Sequence, residues 1–279
     1  MLHHEGLRGK ITFWDGVLSI AALATIIALL LAPPVSLLDK VDRAAFAVCH
    51  RIPDRSYEIG GRPLPLCARC SGTYLGALAG LVVLGLRHRG RADRFPAATQ
   101  MAVFAVFLLI WAVDGANSFL TLFPGLPHLY EPRNLLRLVT GTLEGLAIAA
   151  FLLPAFNGTV WAPLHAAGAP TEVAAGQSVG GWRDMVWLLV GGAIVVGLVS
   201  SELEFLLYPL ALASGVMIVG LVGALNGMVV LMVLHRDGQT LRWREAIAPL
   251  LAGLALAMIE LAAIGLARAA LTAWIDLPF

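Results

Sequence analysis

The sequence predicts an all-α integral membrane protein, a polytopic bundle of about seven transmembrane helices. Three observations predict it. The 279 residues are 59% hydrophobic and only 13% charged, against roughly 25% charged in a soluble domain. The mean hydropathy is +0.83. The apolar runs also approach the about 20 residues that a helix needs to cross a hydrocarbon core of about 30 Å. The expected partner is therefore the lipid bilayer. A net charge of +1 and the lack of a basic tail or recognition motif give no reason to expect nucleic acid.

Taken in order, the expected spans are 16–38, 67–86, 97–123, 135–154, 184–203, 207–234 and 246–270. The first follows Arg8 and Lys10, as the apolar part of a signal peptide would. Its run exceeds the about 7–15 residues of such a segment and no A-x-A site follows, so it reads as a retained helix, bent near Pro33 and Pro34. The second opens at Cys67, after Pro63 and Pro65 have kept the chain extended. It carries Gly72, Gly76 and Gly80, and the fourth carries Gly141 and Gly145. That small-xxx-small spacing lets two membrane helices approach closely. The fifth and sixth meet at Glu204–Pro209 with room only for a tight turn, so six helices with one split stretch is the alternative.

These elements divide the chain into a four-helix region over 1–156, a flexible Ala/Gly/Pro-rich linker over 157–182 and a three-helix region over 183–279. Asn157-Gly158-Thr159 matches a glycosylation acceptor and reads as chance. Arg87, Arg89, Arg91 and Arg94 crowd one short loop, and Arg236, Arg242 and Arg244 another. Placing them on the cytoplasmic side gives a multi-pass inner-membrane protein with its N-terminus inside and its C-terminus outside.

Ionisable groups within spans are costly and face partners or polar sites. Asp114 lies deep in the third span, with Asn117 and Ser118 on the same helical face. Arg137 opens the fourth span, Glu144 follows two turns on, Glu202 and Glu204 close the fifth, and Glu260 lies in the seventh. The topology gathers these at the outer side, under the loop 39–66. Asp114 and Arg137 are expected to approach within salt-bridge or one-water distance as the floor of one polar vestibule, roofed by His50, Arg51 and Arg69.

All three cysteines, Cys49, Cys67 and Cys70, fall in one short stretch, and an odd number cannot all pair within a chain. Thiols at a helix N-terminus have lowered pKa values, which favours metal binding or exchange chemistry. Cys49, His50, Cys67 and Cys70 would supply the Cys3His set of a tetrahedral zinc site, with sulfurs about 3.5–4 Å apart. His50 adjoins Cys49, so His128 or water is the alternative fourth ligand. The competing chemistry is a Cys67–Cys70 disulfide exchanging with Cys49. Tyr74 makes the run C-x-x-C-x-x-T-Y similar, over eight residues, to the active-site run of vitamin K epoxide reductases. Arg51, Arg55 and Arg69 are candidates for an anionic ligand, whose phosphate or carboxylate suits guanidinium forks. Asp54 and Glu58 leave loop-stabilising pairs as the alternative.

The stretch Cys49-His50 to Ser56, followed by G-G-R-x-L-P-x-C-A-R-C-x-G-x-Y-x-G from Gly60 to Gly76, resembles the signature of a bacterial and archaeal membrane family, domain of unknown function 2085. Asp114-Gly115 and Asn134 to Gly141 resemble its later motifs. The resemblance covers about 40–155 and implies that Cys49, His50, Cys67, Cys70, Asp114 and Arg137 form one site. It implies no activity.

Three functions remain open from the sequence. The first is a metal-bound or thiol-active site at the outer face, binding or transporting a small, amphiphilic, lipid or anionic ligand through Arg51, Arg55, Arg69, Tyr74, Asp114, Asn117, Arg137 and Glu144. The second is a quinone-linked thiol–disulfide oxidoreductase, and the third a non-catalytic subunit of a larger membrane complex.

Overall fold

In a computed structural model, which describes residues 12–123, 125–162 and 176–275, eight α-helices account for most of the described chain, and seven are long and apolar enough to cross a membrane. Helix α1 (Phe13–Leu31) begins at Thr12, whose hydroxyl and backbone exchange hydrogen bonds with Asp15 in a capping box. It stops before the Pro33-Pro34 pair, where Lys40 and Arg43 donate to the carbonyls of Ala32 and Pro33. The stretch expected to finish the first span therefore leaves the helix.

The expected loop 39–66 is largely a structured element. Helix α2 (Leu37–Val48) packs an apolar edge, with Leu38 and Ala45 buried, against α7 (Leu207–Val233) and α8 (Trp243–Ile275). Its other edge carries Asp39 and Asp42. A 3-10 turn at Pro53–Arg55 and a small antiparallel hairpin, β1 (Glu58–Ile59) with β2 (Arg62–Pro63), complete it. Gly60 and Gly61 supply the positive φ values of the hairpin turn.

The centre of the bundle is the crossing of α3 (Ala68–Leu86) and α5 (Asn134–Val160), the most extensive helix pair. The glycine spacing explains it. A Cβ on Gly141 would lie 2.1 Å from the Arg69 carbonyl oxygen, one on Gly145 2.2 Å from that of Thr73, and one on Gly72 2.3 Å from that of Leu138. Helix α4 (Ala98–Leu120) packs on α5, and α6 (Trp182–Ser200) packs on both α3 and α5. A second close crossing joins α7 and α8 at Gly227 and Gly253, and α1 lies against α8. The turn before α7 is a 3-10 segment at Glu204–Leu206, so the two spans are separate helices.

Helix α5 runs through Asn157 to Val160, into the stretch expected as linker; 163–175 lie outside the described residues. Asn157 is buried and donates to the carbonyls of Gly90 and Ala92. This end of the bundle also holds Asp184 between Arg87 and Arg89, and Asp15 against Arg236. The arginines that set the expected orientation thus share one end, and the cysteines lie at the other. Large apolar side chains such as Ile20, Ile27, Leu109 and Val229 stay exposed on the outward helix faces, where a bilayer would cover them.

Candidate functional site

Cys49 follows the last turn of α2, its amide donating to the Ala45 carbonyl. Cys67 is the N-cap of α3 and Cys70 lies in the first turn. The two prolines before α3 deliver Cys67 to the helix start as expected. All three cysteines are reduced, and their Sγ atoms lie within 4.8 Å of one another. Cys49 and Cys67 are buried and Cys70 is partly exposed. The backbone N–H of Cys67 donates to Cys49 Sγ at 3.3 Å. Donation from the neighbouring Cys67 and Cys70 thiols holds Cys49 well below the usual thiol range, and the same interaction pushes Cys67 up.

Ala45, Leu66, Ile218 and Leu261 wall the cluster, with Tyr74 packed one turn below Cys70. Arg268 of α8 locks it from outside. Its guanidinium lies 4.3 Å from the centre of the Phe46 ring and donates to the carbonyls of Phe46, Cys49 and His50. Nothing in the sequence distinguishes Arg268 from an arginine reaching toward the membrane surface.

Several expected ligands lie elsewhere. His50 is not part of the thiol group; its Nδ1 accepts the Ile52 N–H at 3.1 Å. Burial lowers its pKa, with the charges of Arg55, Arg69 and Arg137 acting in the same direction. His128 pairs with Glu131 instead. Arg51 binds Asp42 at 2.7 Å, and Arg62 binds both Asp39 and Asp42. These pairs fasten the loop to α2, so Arg51 is a loop-fastening residue here. Asn117 likewise holds the stretch before α5, accepting from Leu129 N–H and donating to the Tyr130 carbonyl.

Among the described residues Asp114 and Arg137 make no direct ion pair. Asp114, 1% exposed, takes Arg69 across the α3–α4 contact. The Tyr130 hydroxyl donates to its other oxygen at 2.7 Å and Thr140 donates at 3.2 Å. Arg137 is held by Asn134 Oδ1 at 2.8 Å and reaches Ser118 Oγ at 3.4 Å, the same oxygen that receives Arg69 at 2.9 Å. Both arginines therefore belong to one network, joined through Ser118. Arg55 approaches from the loop and donates to Thr121. Glu144 sits deeper on α5, accepting the Thr73 hydroxyl at 2.6 Å. Glu260 bonds Asn226 on α7, apart from this network. The helical spacing marks Ser118 beside Asp114, but the spacing of charges does not reveal Tyr130, Thr121 or Thr140, whose hydroxyls complete the network.

Chemically, three thiols this close suit a thiolate-bound metal. A tetrahedral ion with Zn–S of about 2.3 Å needs sulfurs about 3.5–4 Å apart, a small adjustment within the observed limit.

A family model described as Predicted membrane protein (DUF2085) matches residues 49–151. The chain is 31% identical over 109 residues to an uncharacterized protein of Methanocaldococcus jannaschii, covering 39% of this chain and 64% of that one. It is 32% identical over 102 residues to an uncharacterized protein of Methanothermobacter thermautotrophicus, covering 37% of this chain and 81% of that one. The chain thus spans a little under two thirds of the first relative's length. No solved structure matches. The matched stretch starts at Cys49 and ends within α5, so it contains the cysteines and the Arg69–Asp114–Arg137 network but not Arg268.

Proposed function

The chain belongs to the DUF2085 family of predicted membrane proteins, and we propose that within it this protein binds a ligand through a metal–thiolate centre. Cys49, Cys67 and Cys70 hold a zinc ion at the outer face of the inner membrane, with the N-terminus inside. The site takes a small or amphiphilic ligand for capture or transport. One observation carries the reading: three reduced cysteine sulfurs from the ends of two helices lie within 4.8 Å. With His50 outside the thiol group, the protein supplies three ligands and leaves a fourth position for water or ligand, as catalytic zinc centres do. Elemental analysis of the detergent-purified protein with a thiol count tests it. About one zinc per chain and thiols that react only after chelation are expected. Metal-free protein with three reactive thiols would remove the centre.

A second reading is favoured by Cys49 lying beside a C-x-x-C pair: thiol–disulfide exchange, in which a quinone oxidant takes two electrons from Cys67 and Cys70 to form their disulfide, and Cys49 attacks it, forming a new disulfide with one sulfur and releasing the other as thiolate. A reversible disulfide in metal-free protein would select it.

A further inference from the structure

Three guanidinium groups from three elements converge on one turn of α4. Arg55, from the loop after α2, donates to Thr121 Oγ1 at 3.1 Å; Arg69 of α3 donates to Ser118 Oγ at 2.9 Å; Arg137 of α5 reaches the same Ser118 oxygen at 3.4 Å. Ser118 and Thr121 are themselves joined, the Thr121 hydroxyl donating to the Ser118 carbonyl at 2.9 Å. One carboxylate, Asp114, serves this turn, and it holds Arg69. Elsewhere Arg51, Arg62, Arg87, Arg89 and Arg236 each hold a carboxylate. Among the described residues Arg55 and Arg137 hold none, as is also true of Arg91 and Arg268, but those two lie on aromatic rings, whereas Arg55 and Arg137 lie beside a third guanidinium. Arg69 also keeps a buried Nε–H with no hydrogen-bond partner among them.

Gathering like charges away from bulk water is unfavourable. Burial, with the charge of Arg69 added, already lowers the Arg55 pKa. An oxyanion would reverse that cost, because planar guanidinium forks suit phosphate geometry and pair with it by charge-assisted hydrogen bonds. We propose that Arg55, Arg69 and Arg137 form an oxyanion site beside the cysteine cluster, and that the ligand carries a phosphate group, either free or as a lipid headgroup. This names the ligand class of the site proposed above and rests on that reading only for the neighbouring metal. The three arginines stand on their own contacts.

The test uses the full chain. Inorganic phosphate is titrated calorimetrically into detergent-purified protein of measured zinc content. In parallel, phosphatidylcholine nanodiscs with and without phosphatidic acid are assayed for lipid retained by the protein. Arg55, half-buried and loop-borne, is replaced in Arg55→Gln and Arg55→Lys, with thermal unfolding as the folding check. Saturable phosphate binding that weakens at least about tenfold in R55Q, as loss of a charge-assisted contact requires, and less in R55K supports a soluble ligand. Selective retention of phosphatidic acid, lost in R55Q, supports a headgroup. Wild-type protein that binds neither, or binds equally well in R55Q, overturns the proposal. So does an R55Q variant that loses zinc but not phosphate, since the arginine would then only balance the thiolates. Phosphate binding by zinc-free protein would remove the metal reading alone, and zinc without phosphate or lipid binding would remove the oxyanion site alone.

Discussion

Arg69 and Asp114 form a buried ion pair between α3 and α4, one residue along the chain from Cys70. Arg69 contributes to two contacts at once. Its backbone carbonyl lies against Gly141 of α5, and its guanidinium reaches the carboxylate of α4. The thiol-bearing turn of α3 is thereby held between two neighbouring helices.

Removing one partner of this pair leaves a buried charge alone, which costs about 3–5 kcal/mol. Asp114→Asn is expected to lower the thermal unfolding temperature in detergent sharply, because Tyr130 and Thr140 also lose their acceptor charge. Adding Arg69→Gln should recover much of the loss, whereas adding Arg137→Gln should not. Recovery with the Arg137 change alone would mean that the pair is wrongly assigned.

The α3–α5 crossing predicts a contrast within one helix. Gly141→Ala forces a methyl into the Arg69 carbonyl, and overpacking of this kind costs about 1–3 kcal/mol or more. Gly158→Ala, in the last turn of the same helix, meets nothing within 4 Å and should be neutral or gain up to about 1 kcal/mol from helix propensity. Unfolding curves of the two variants should move in opposite directions, or the second not at all.

Arg268 acts on the cysteines without touching a sulfur. Arg268→Gln loses the donors that fix the Phe46, Cys49 and His50 carbonyls. Supporting contacts of this kind alter metal affinity by about 10–100-fold. Competition with a chromophoric chelator should show that loss, while circular dichroism shows the helices unchanged. Unaltered affinity would confine Arg268 to capping α2.

The spans and the cysteine cluster were legible because both are local signals. Apolar run length sets the helices, and the prolines before Cys67 set the start of α3. The glycine spacing likewise marked α3 and α5 for close packing, though not that they pack on each other. Helix α2 was hidden by its charges: Asp39, Lys40, Asp42 and Arg43 suggest a loop, although Leu38, Val41 and Ala45 carry a helical period. The partner of Asp114 was not legible for a different reason. Arg69 and Arg137 both sit in the first turn of neighbouring helices, and the choice between them depends on how each helix is rotated about its axis. The place of His50 outside the thiol group was not legible because the Ile52 amide that donates to its ring lies only two residues away, a local turn that ligand spacing does not reveal.

X-ray absorption at the zinc edge of the purified protein tests the centre most directly. The account predicts three sulfur scatterers at about 2.3 Å and one nitrogen or oxygen at about 2.0–2.2 Å, with one sulfur lost in Cys70→Ser. A protein without bound zinc, or a spectrum of nitrogen and oxygen scatterers only, would contradict it.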